Sequence, residues 1–325
     1  MTLVVDSLVK TFGEVRALDG VSFSVGPGEV FGFLGANGAG KTTTMRICLD
    51  VLRPDSGSVT WQGRSNVDLP RRTWGYLPEE RGLYGTMRVL DQLVFFASLR
   101  GVPAADARRT ALGWLERFRV PDYAGRKAEE LSKGNQQKIQ FIAAILHDPD
   151  ILLLDEPFTG LDPVNAALLK EAFLEMRDDG KTIVFSTHQM ETVEELAESI
   201  AIVDEGRIVV AGAVRDVRGS TGRVFVRLSV QGDTELAWLD GLDGVAVTRP
   251  GRDYAEMEVA RERDPETILR AALDRGLRVT RFEIADPTIE QIFVERVGKA
   301  ASDERTLAAR AGAAAAAASA AGGAT

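Results

Sequence analysis

The chain has 325 residues, 45% hydrophobic and 27% charged, an ordinary balance for a soluble globular protein of about two domains. Its formal net charge of −9 and pI near 5.0 disfavour non-specific attraction to nucleic acid or to an anionic lipid surface. The single cysteine, Cys48, excludes an internal disulfide and every multi-cysteine metal site, and two histidines, His147 and His188, cannot alone make a zinc site. No apolar run approaches the ~18 residues of a membrane-spanning helix, and Met1–Asp6 has neither a basic region nor a long apolar core, so a cytosolic start without a signal peptide is expected.

Thr2–Val9 and Val21–Val25 are rich in β-formers, and Val30–Leu34 is an apolar run suited to a buried strand. Between the first two, Phe12 precedes a turn at Gly13; alone it reads as core, but upstream of a phosphate-binding motif it also reads as a platform for a base. That motif follows Leu34 directly. Gly35-Ala36-Asn37-Gly38-Ala39-Gly40-Lys41-Thr42-Thr43 fits the P-loop pattern G-x-x-x-x-G-K-[ST] at every fixed position. Small residues let backbone N–H groups point at phosphate oxygens, and the helix expected through Thr44–Leu49 offers its positive end. The nucleotide-binding set is therefore Gly35, Asn37, Gly38, Gly40, Lys41, Thr42 and Thr43, with Lys41 reaching the β- and γ-phosphates and the Thr42 hydroxyl serving Mg²⁺. A chance match in a chain this long is on the order of 1%. Cys48, early in the following helix, reads as a small buried hydrophobe.

Arg53–Gly57 is a turn, and Ser58–Trp61 and Thr73–Leu77 read as strands. From Arg88 the apolar spacing becomes helical, defining a helical insertion over about Thr86–Ala128. Leu131–Gln137 is a polar turn opening an amphipathic helix with Ile139, Ile142, Ala143 and Leu146; Ser132 and the following amides either cap that helix or bind an anion. Ile151–Leu154 runs four apolar residues into Asp155 and Glu156, as in a strand buried on both faces whose end meets ligand. With a P-loop in the chain, Asp155 is assigned to the Mg²⁺ shell and Glu156 to the attacking water; the plain alternative is a solvated loop before Pro157. Pro163 suits the first turn of the next helix. Thr182–Ser186 is a strand delivering Thr187 and His188 to the same sheet edge, where His188 reads equally as structural or as a γ-phosphate contact.

From Arg223 the pattern restarts. Val224–Val230, a short helix at Thr234–Leu239, a hairpin of Val245–Thr248 with Tyr254–Val259, a helix at Glu266–Asp274, a strand at Arg278–Ile284 and a helix at Thr288–Val297 give the order of a ferredoxin-like split unit. This part carries no acid–base or metal constellation and reads as a regulatory or contact domain. The tail from Ala308 is nearly all Ala and Gly, and residues 300–325 are expected to be disordered or frayed.

Taken in order over about residues 2–218, Phe12, the P-loop, the Leu131–Gln137 turn, Asp155–Glu156, Gly160–Pro163 and His188 make the chain resemble the ATP-binding subunit of an ABC transporter. The resemblance implies an α/β P-loop NTPase over residues 1–218 with a helical subdomain, and a smaller α+β domain over 219–299. The latter, through Arg223–Val297, is similar to the C-terminal extension of bacterial sodium-export and drug-resistance ATPases. It also implies Mg²⁺-dependent ATP hydrolysis in which Lys41, Glu156 and His188 are catalytic and Phe12 stacks on adenine. A second ATPase subunit, identical or different, would pair head to tail, with Ser132, Gly134 and Asn135 on the partner's γ-phosphate and Asp162 crossing the interface.

Two departures from the family pattern stand out. Lys133 and Asn135 replace a glycine and the glutamine of the usual Leu-Ser-Gly-Gly-Gln, and Tyr76-Leu77-Pro78-Glu79-Glu80 stands where the family has a Mg²⁺-touching glutamine. Glu79 is its equivalent, a third metal-ligand candidate beside Thr42 and Asp155. A separate permease would hold the subunit at the inner face of the cell membrane and dock near Leu83, Tyr84 and Met87, which read equally as core. The competing functions are a non-transport ABC ATPase on ribosomes or DNA, disfavoured by one cassette, no sustained heptads and net acidity, and a nucleotide-dependent dimerisation module. No nucleic-acid partner is expected.

Overall fold

A computed structural model describes residues 2–80, 82–231, 238–239, 242, 245–250, 254–260 and 262–297. The Ala-rich tail and most of the helix expected at Thr234–Leu239 lie outside the described residues. The chain divides into two compact units, Met1–Ala213 and Val214–Thr325.

The first unit contains two sheets. β1 (Leu3–Phe12) and β2 (Val15–Val25) form a hairpin that turns at Gly13, φ +58°, longer at both strands than the β-former clusters imply. A bulge at Ser7, φ +50°, shifts the register so that Leu3, Val5 and Leu8 all reach the core. β4 (Ser56–Trp61) and β5 (Arg64–Ser65) complete an antiparallel sheet in the order β2-β1-β4-β5. β3 (Val30–Leu34), β6 (Trp74–Leu77), β7 (Ile151–Asp155), β8 (Thr182–Thr187), β9 (Ser199–Asp204) and β10 (Arg207–Ala213) form the other, in the order β10-β9-β3-β8-β7-β6. All its pairs are parallel except β9 with β10. β3, β7 and β8 are buried at every position, as apolar runs with both faces covered must be.

α1 (Lys41–Cys48) follows β3 and buries Met45, Ile47 and Cys48 in the core shared by both sheets. α2 (Val89–Ser98), α3 (Ala104–Arg117) and 3-10 turns at Pro121–Tyr123 and Ala128–Glu130 make the helical insertion, and α4 (Lys133–Ile145) packs on both helices. α5 (Pro163–Asp178) and α6 (Met190–Leu196) precede β8 and β9. A chain of rings ties the insertion to the sheet. Phe118 to Phe141, Phe141 to Phe173 and Phe173 to Phe185 have centroids 5.8, 5.7 and 6.0 Å apart, pairs worth about 0.5–1.5 kcal/mol each beyond area burial.

The second unit begins with α7 (Val214–Gly219) and contains β11 (Arg223–Val230), β12 (Val245–Pro250), β13 (Ala255–Ala260), α8 (Glu266–Asp274), β14 (Val279–Ala285) and a helix over 289–297. The sheet is antiparallel in the order β12-β13-β11-β14, with β13 inserted between β11 and β12 as a split β-α-β unit requires. Val224, Val226 and Leu228 join Met257, Val259 and Ile268 in its core. The alternate residues Arg223 and Arg227 instead pair with Glu258 and Glu256. Thr288 and Gln291 exchange backbone-to-side-chain bonds of 2.9 and 3.2 Å, a capping box that starts the last helix.

Candidate nucleotide site

Between β3 and α1 the backbone has to turn within a few residues, and three glycines make this possible. At Gly35 a β-carbon would lie 2.4 Å from the Val203 carbonyl oxygen; at Gly40, φ +109°, it would lie 2.6 Å from Leu18 Cδ2 and 2.8 Å from the Ala17 oxygen. Gly38 has open space but φ +84°, so its need is conformational. α1 begins with no side-chain cap and no acid in its first turn, so its leading amides and positive end are given to the loop. Lys41 is 7% exposed and donates from Nζ to the Gly35 and Ala36 oxygens at 2.8 and 3.1 Å, lying across the loop.

The two acids at the end of β7 are buried, 1% exposed for Asp155 and 6% for Glu156, so the solvated-loop alternative does not hold. Thr42 Oγ1 donates to Asp155 Oδ2 at 2.7 Å, and Ser186 Oγ donates to Asp155 Oδ1. The Ser186 hydroxyl also accepts from the Glu156 N–H at 3.1 Å, and the Ser186 carbonyl accepts the same N–H at 3.2 Å. Glu156 has φ +50°, a left-handed conformation that costs a non-glycine residue about 1–2 kcal/mol and is held here by those bonds. Its carboxylate meets His188 Nδ1 at 2.9 Å through Oε1 and accepts from Thr159 Oγ1 at 3.4 Å through Oε2.

A cleft of about 290 Å³ brings Glu79, Asp155 and Glu156 together with Asn37, Gly38, Gly40, Lys41, Thr42 and Thr43. Its volume lies at the lower end of the ligand-pocket range, enough for a polyphosphate but leaving a base to be bound outside it. The hydroxyl of Thr42 and the carboxylates of Asp155 and Glu79 are hard oxygen donors, a set that fits Mg²⁺, which is held through one or two carboxylates with phosphate oxygens and water completing its shell.

The remaining sequence-derived candidates lie elsewhere. Phe12 is 48% exposed at the β1–β2 turn, with the Lys10 amine 5.6 Å from its ring centroid, and is not a core residue. Ser132 caps α4, accepting the Asn135 N–H at 3.4 Å, while Asn135 Nδ2 donates to the Tyr123 hydroxyl at 3.1 Å. Gly134 abuts the Gly160–Leu161 turn, where a β-carbon would come 3.2 Å from the Gly160 oxygen. Asp162 caps α5, accepting from Asn165 N and Nδ2 at 2.9 and 2.6 Å; the backbone bond leads in holding its carboxyl below the usual range. None of these five residues lines the P-loop cleft. Ser186, Thr159 and Gln137, whose Nε2 donates to the Pro157 oxygen at 3.0 Å, were not singled out from sequence. The placement of Ser186 and Thr159 close to Glu156 along the chain or across the sheet is the only signal they give.

A parallel sheet with a P-loop at the end of one strand and a buried Asp-Glu pair at the end of another defines a P-loop ATPase cassette. Residues 18–159 match the ABC transporter family model, and residues 212–297 match the C-terminal domain of DrrA1-3-like ATP-binding proteins. An uncharacterised ABC transporter ATP-binding protein of Bacillus subtilis, YhaQ, is 44% identical over 297 residues, 91% of this chain and 98% of that one. The daunorubicin/doxorubicin resistance ATP-binding protein DrrA of Streptomyces peucetius is 32% identical over 313 residues, 92% and 93% of the two chains. A solved structure of an ATP-binding subunit of an ABC transporter matches with a TM-score of 0.64 and 32% identity, over 68% of this chain and 94% of that one. The chain belongs to the ATP-binding proteins of ABC transporters and is an ATPase.

Proposed function

We propose that this ATPase pairs with a second ATPase subunit and drives a separate membrane permease that exports its cargo. The observation that supports the pairing is that Ser132, Gly134 and Asp162 lie outside the lining of the P-loop cleft, so that in this reading each chain offers two half-sites. In the proposed pair, Ser132 and Gly134 meet the partner's γ-phosphate, Asn135 braces their turn through Tyr123, and Asp162 lies at the interface. Phe12, exposed beyond the cleft, stacks on the base.

Within the cleft, Lys41 holds the β- and γ-phosphates and Glu156 orients the attacking water and takes its proton. His188, bonded to Glu156, reaches the γ-phosphate and keeps that carboxylate aligned. Thr42, Asp155 and Glu79 would hold Mg²⁺, which neutralises charge on the phosphate oxygens when bound. Among the described residues no helix is long and apolar enough to cross a membrane, which supports a separate permease and a place at the inner membrane face. Leu83 and Met87 are half-buried and Tyr84 is 55% exposed, stacked on Phe96 beside a groove of about 220 Å³. That exposed apolar surface supports docking there. The export direction follows the resistance for which DrrA is named.

The test is a tagged pull-down from detergent-solubilised membranes with ATP, using Glu156→Gln to hold the pair closed. A co-purifying polytopic membrane protein is the expected result; recovery of ribosomes, DNA or this protein alone would overturn the transporter reading. Glu156→Gln is expected to bind ATP and pair normally while turnover falls at least 100-fold, the scale for loss of a general base. Wild-type turnover would remove Glu156 from that role.

A further inference from the structure

The tip of the first hairpin, which carries Phe12, is held by a residue from elsewhere in the chain. On one side the ladder of β1 with β4 ends at the pair Val9 and Ser56. On the other, the register with β2 slips between Lys10, opposite Leu18, and Thr11, opposite Arg16. Beyond Val9 the strand therefore has no β4 partner and only a bulged ladder to β2. Asp55 continues the missing side. Its carboxylate accepts from Lys10 Nζ at 2.8 Å through Oδ1 and from the Thr11 N–H at 2.7 Å through Oδ2, and its own N–H donates to the Val9 carbonyl at 2.8 Å. One residue thus grips Val9, Lys10 and Thr11, the three that lead into Phe12. The Lys10 bond comes first among the influences that hold the Asp55 carboxyl below its usual range. The same Lys10 amine lies over the Phe12 ring, 5.6 Å from its centroid.

Asp55 also links this tip to the phosphate loop. α1 starts at Lys41 of that loop, and after its last turn the chain folds back on it, the Val51 and Leu52 amides both donating to the Arg46 carbonyl at 2.9 and 3.1 Å. The chain then reaches Asp55 just before β4. Ring and phosphate loop are joined in this way through α1, the fold-back on Arg46, Asp55 and Lys10. A lysine side chain has several free rotors and does not stay over an exposed ring unaided; the bond to Asp55 supplies the restraint. With the amine over one face of Phe12, the ring is steadied and the other face is left for a base. An exposed ion pair of this kind contributes little to stability, so its consequence is sought in where it places the ring.

We propose that Asp55 and Lys10 are positioning residues for the nucleobase: Asp55 fixes Lys10 and the tip of β1, and Lys10 fixes the Phe12 ring relative to the phosphate loop, so that base and phosphates are met together. This rests on the proposed stacking of a base on Phe12 and adds what sets the place of the ring. The pair acts on the base alone, so it is felt by a nucleotide and not by a polyphosphate that lacks one.

The affinities of the full chain for ATP and for tripolyphosphate, each with Mg²⁺, are compared by calorimetry. Phe12→Ala is expected to weaken ATP about tenfold or more, the scale of one lost stacking contact, and to leave tripolyphosphate unchanged. Lys10→Met and Asp55→Ala are each expected to weaken ATP about threefold to tenfold, again with tripolyphosphate unchanged, which separates a displaced ring from a damaged fold. In turnover assays of these two variants the change should fall on KM for ATP and not on kcat. The double variant should bind ATP no more weakly than the worse of the two single ones, because both act through one contact. Lys10→Arg, which keeps the cation, should recover most of the affinity. If Phe12→Ala separates the two ligands while Lys10→Met and Asp55→Ala bind ATP as wild type does, the positioning role is overturned and the stacking stands. If Phe12→Ala itself binds ATP as wild type does, the stacking fails and the proposal with it. Equal weakening of ATP and tripolyphosphate by the Lys10 and Asp55 variants is general damage and also overturns the proposal.

Discussion

Removing one hydroxyl at Ser186 tests how the two acids are held. Ser186 is fully buried; its Oγ donates to Asp155 Oδ1 and accepts from the Glu156 N–H. Ser186→Ala deletes a hydrogen bond to a charged, buried carboxylate, worth about 1.5–3 kcal/mol. The Glu156 N–H keeps the Ser186 carbonyl at 3.2 Å, so the backbone loss is small. A net cost near 2 kcal/mol corresponds to a fall in melting temperature of roughly 4–8 °C for a unit of this size. With Oδ1 released, Asp155 is expected to rotate away from Thr42, raising the Mg²⁺ concentration needed for half-maximal turnover about tenfold or more, a change that mere loss of stability would not cause. Ser186→Thr, which keeps the hydroxyl, should recover most of the Mg²⁺ dependence. Thermal melts and Mg²⁺ titrations of ATPase activity read both effects. An Ala variant with unaltered melting and unaltered Mg²⁺ dependence would refute the bridging role.

At Gly40, φ +109° combined with a β-carbon clash against Leu18 and Ala17 means that Gly40→Ala should lose at least about 3 kcal/mol or abandon the loop, seen as lost ATP binding in calorimetry. Cys48 should resist iodoacetamide at pH 8 in the native chain and react quickly in urea, since its thiol is pushed up to about 12; rapid native labelling would contradict its burial. Burial chiefly depresses His147, so the unfolded chain binds its proton more readily than the folded one. Its contribution to stability should be intact above about pH 6.5 and decline as pH falls toward the folded value. Urea melts of His147→Gln should show a flatter slope in that window, and a slope identical to wild type would exclude His147 as its source.

Much of this molecule was legible because its signals are contiguous. The P-loop needs no distant residue to be recognised, since Gly35–Thr43 carry the turn, the amides, the amine and the hydroxyl in one stretch. The helix at Glu266–Asp274 has the bounds expected from its pattern, and the helical insertion begins and ends within a few residues of the expected ones. Ser199–Ala213 was assigned no element, although it forms β9 and β10; a short apolar run such as Ile200–Val203 has no period to separate strand from helix.

Sequence by itself determined the phosphate-binding loop, the acids at a strand end and the strand that begins at Arg223, because each rests on neighbouring residues and local stereochemistry, whereas the second unit starts earlier, at Val214. Only the tertiary structure decided that Ser186 braces Asp155 and that Phe12 is exposed. Asp155 and Ser186 are 31 positions apart and become partners solely through the parallel register of β7 and β8. The same holds for the turn at Ser132: its capping role is local, but its position outside the P-loop cleft is set by the packing of α4, with Gln137 bound to the Pro157 carbonyl. Contacts of this kind arise from strand register and helix packing across the chain, which no single stretch of sequence encodes.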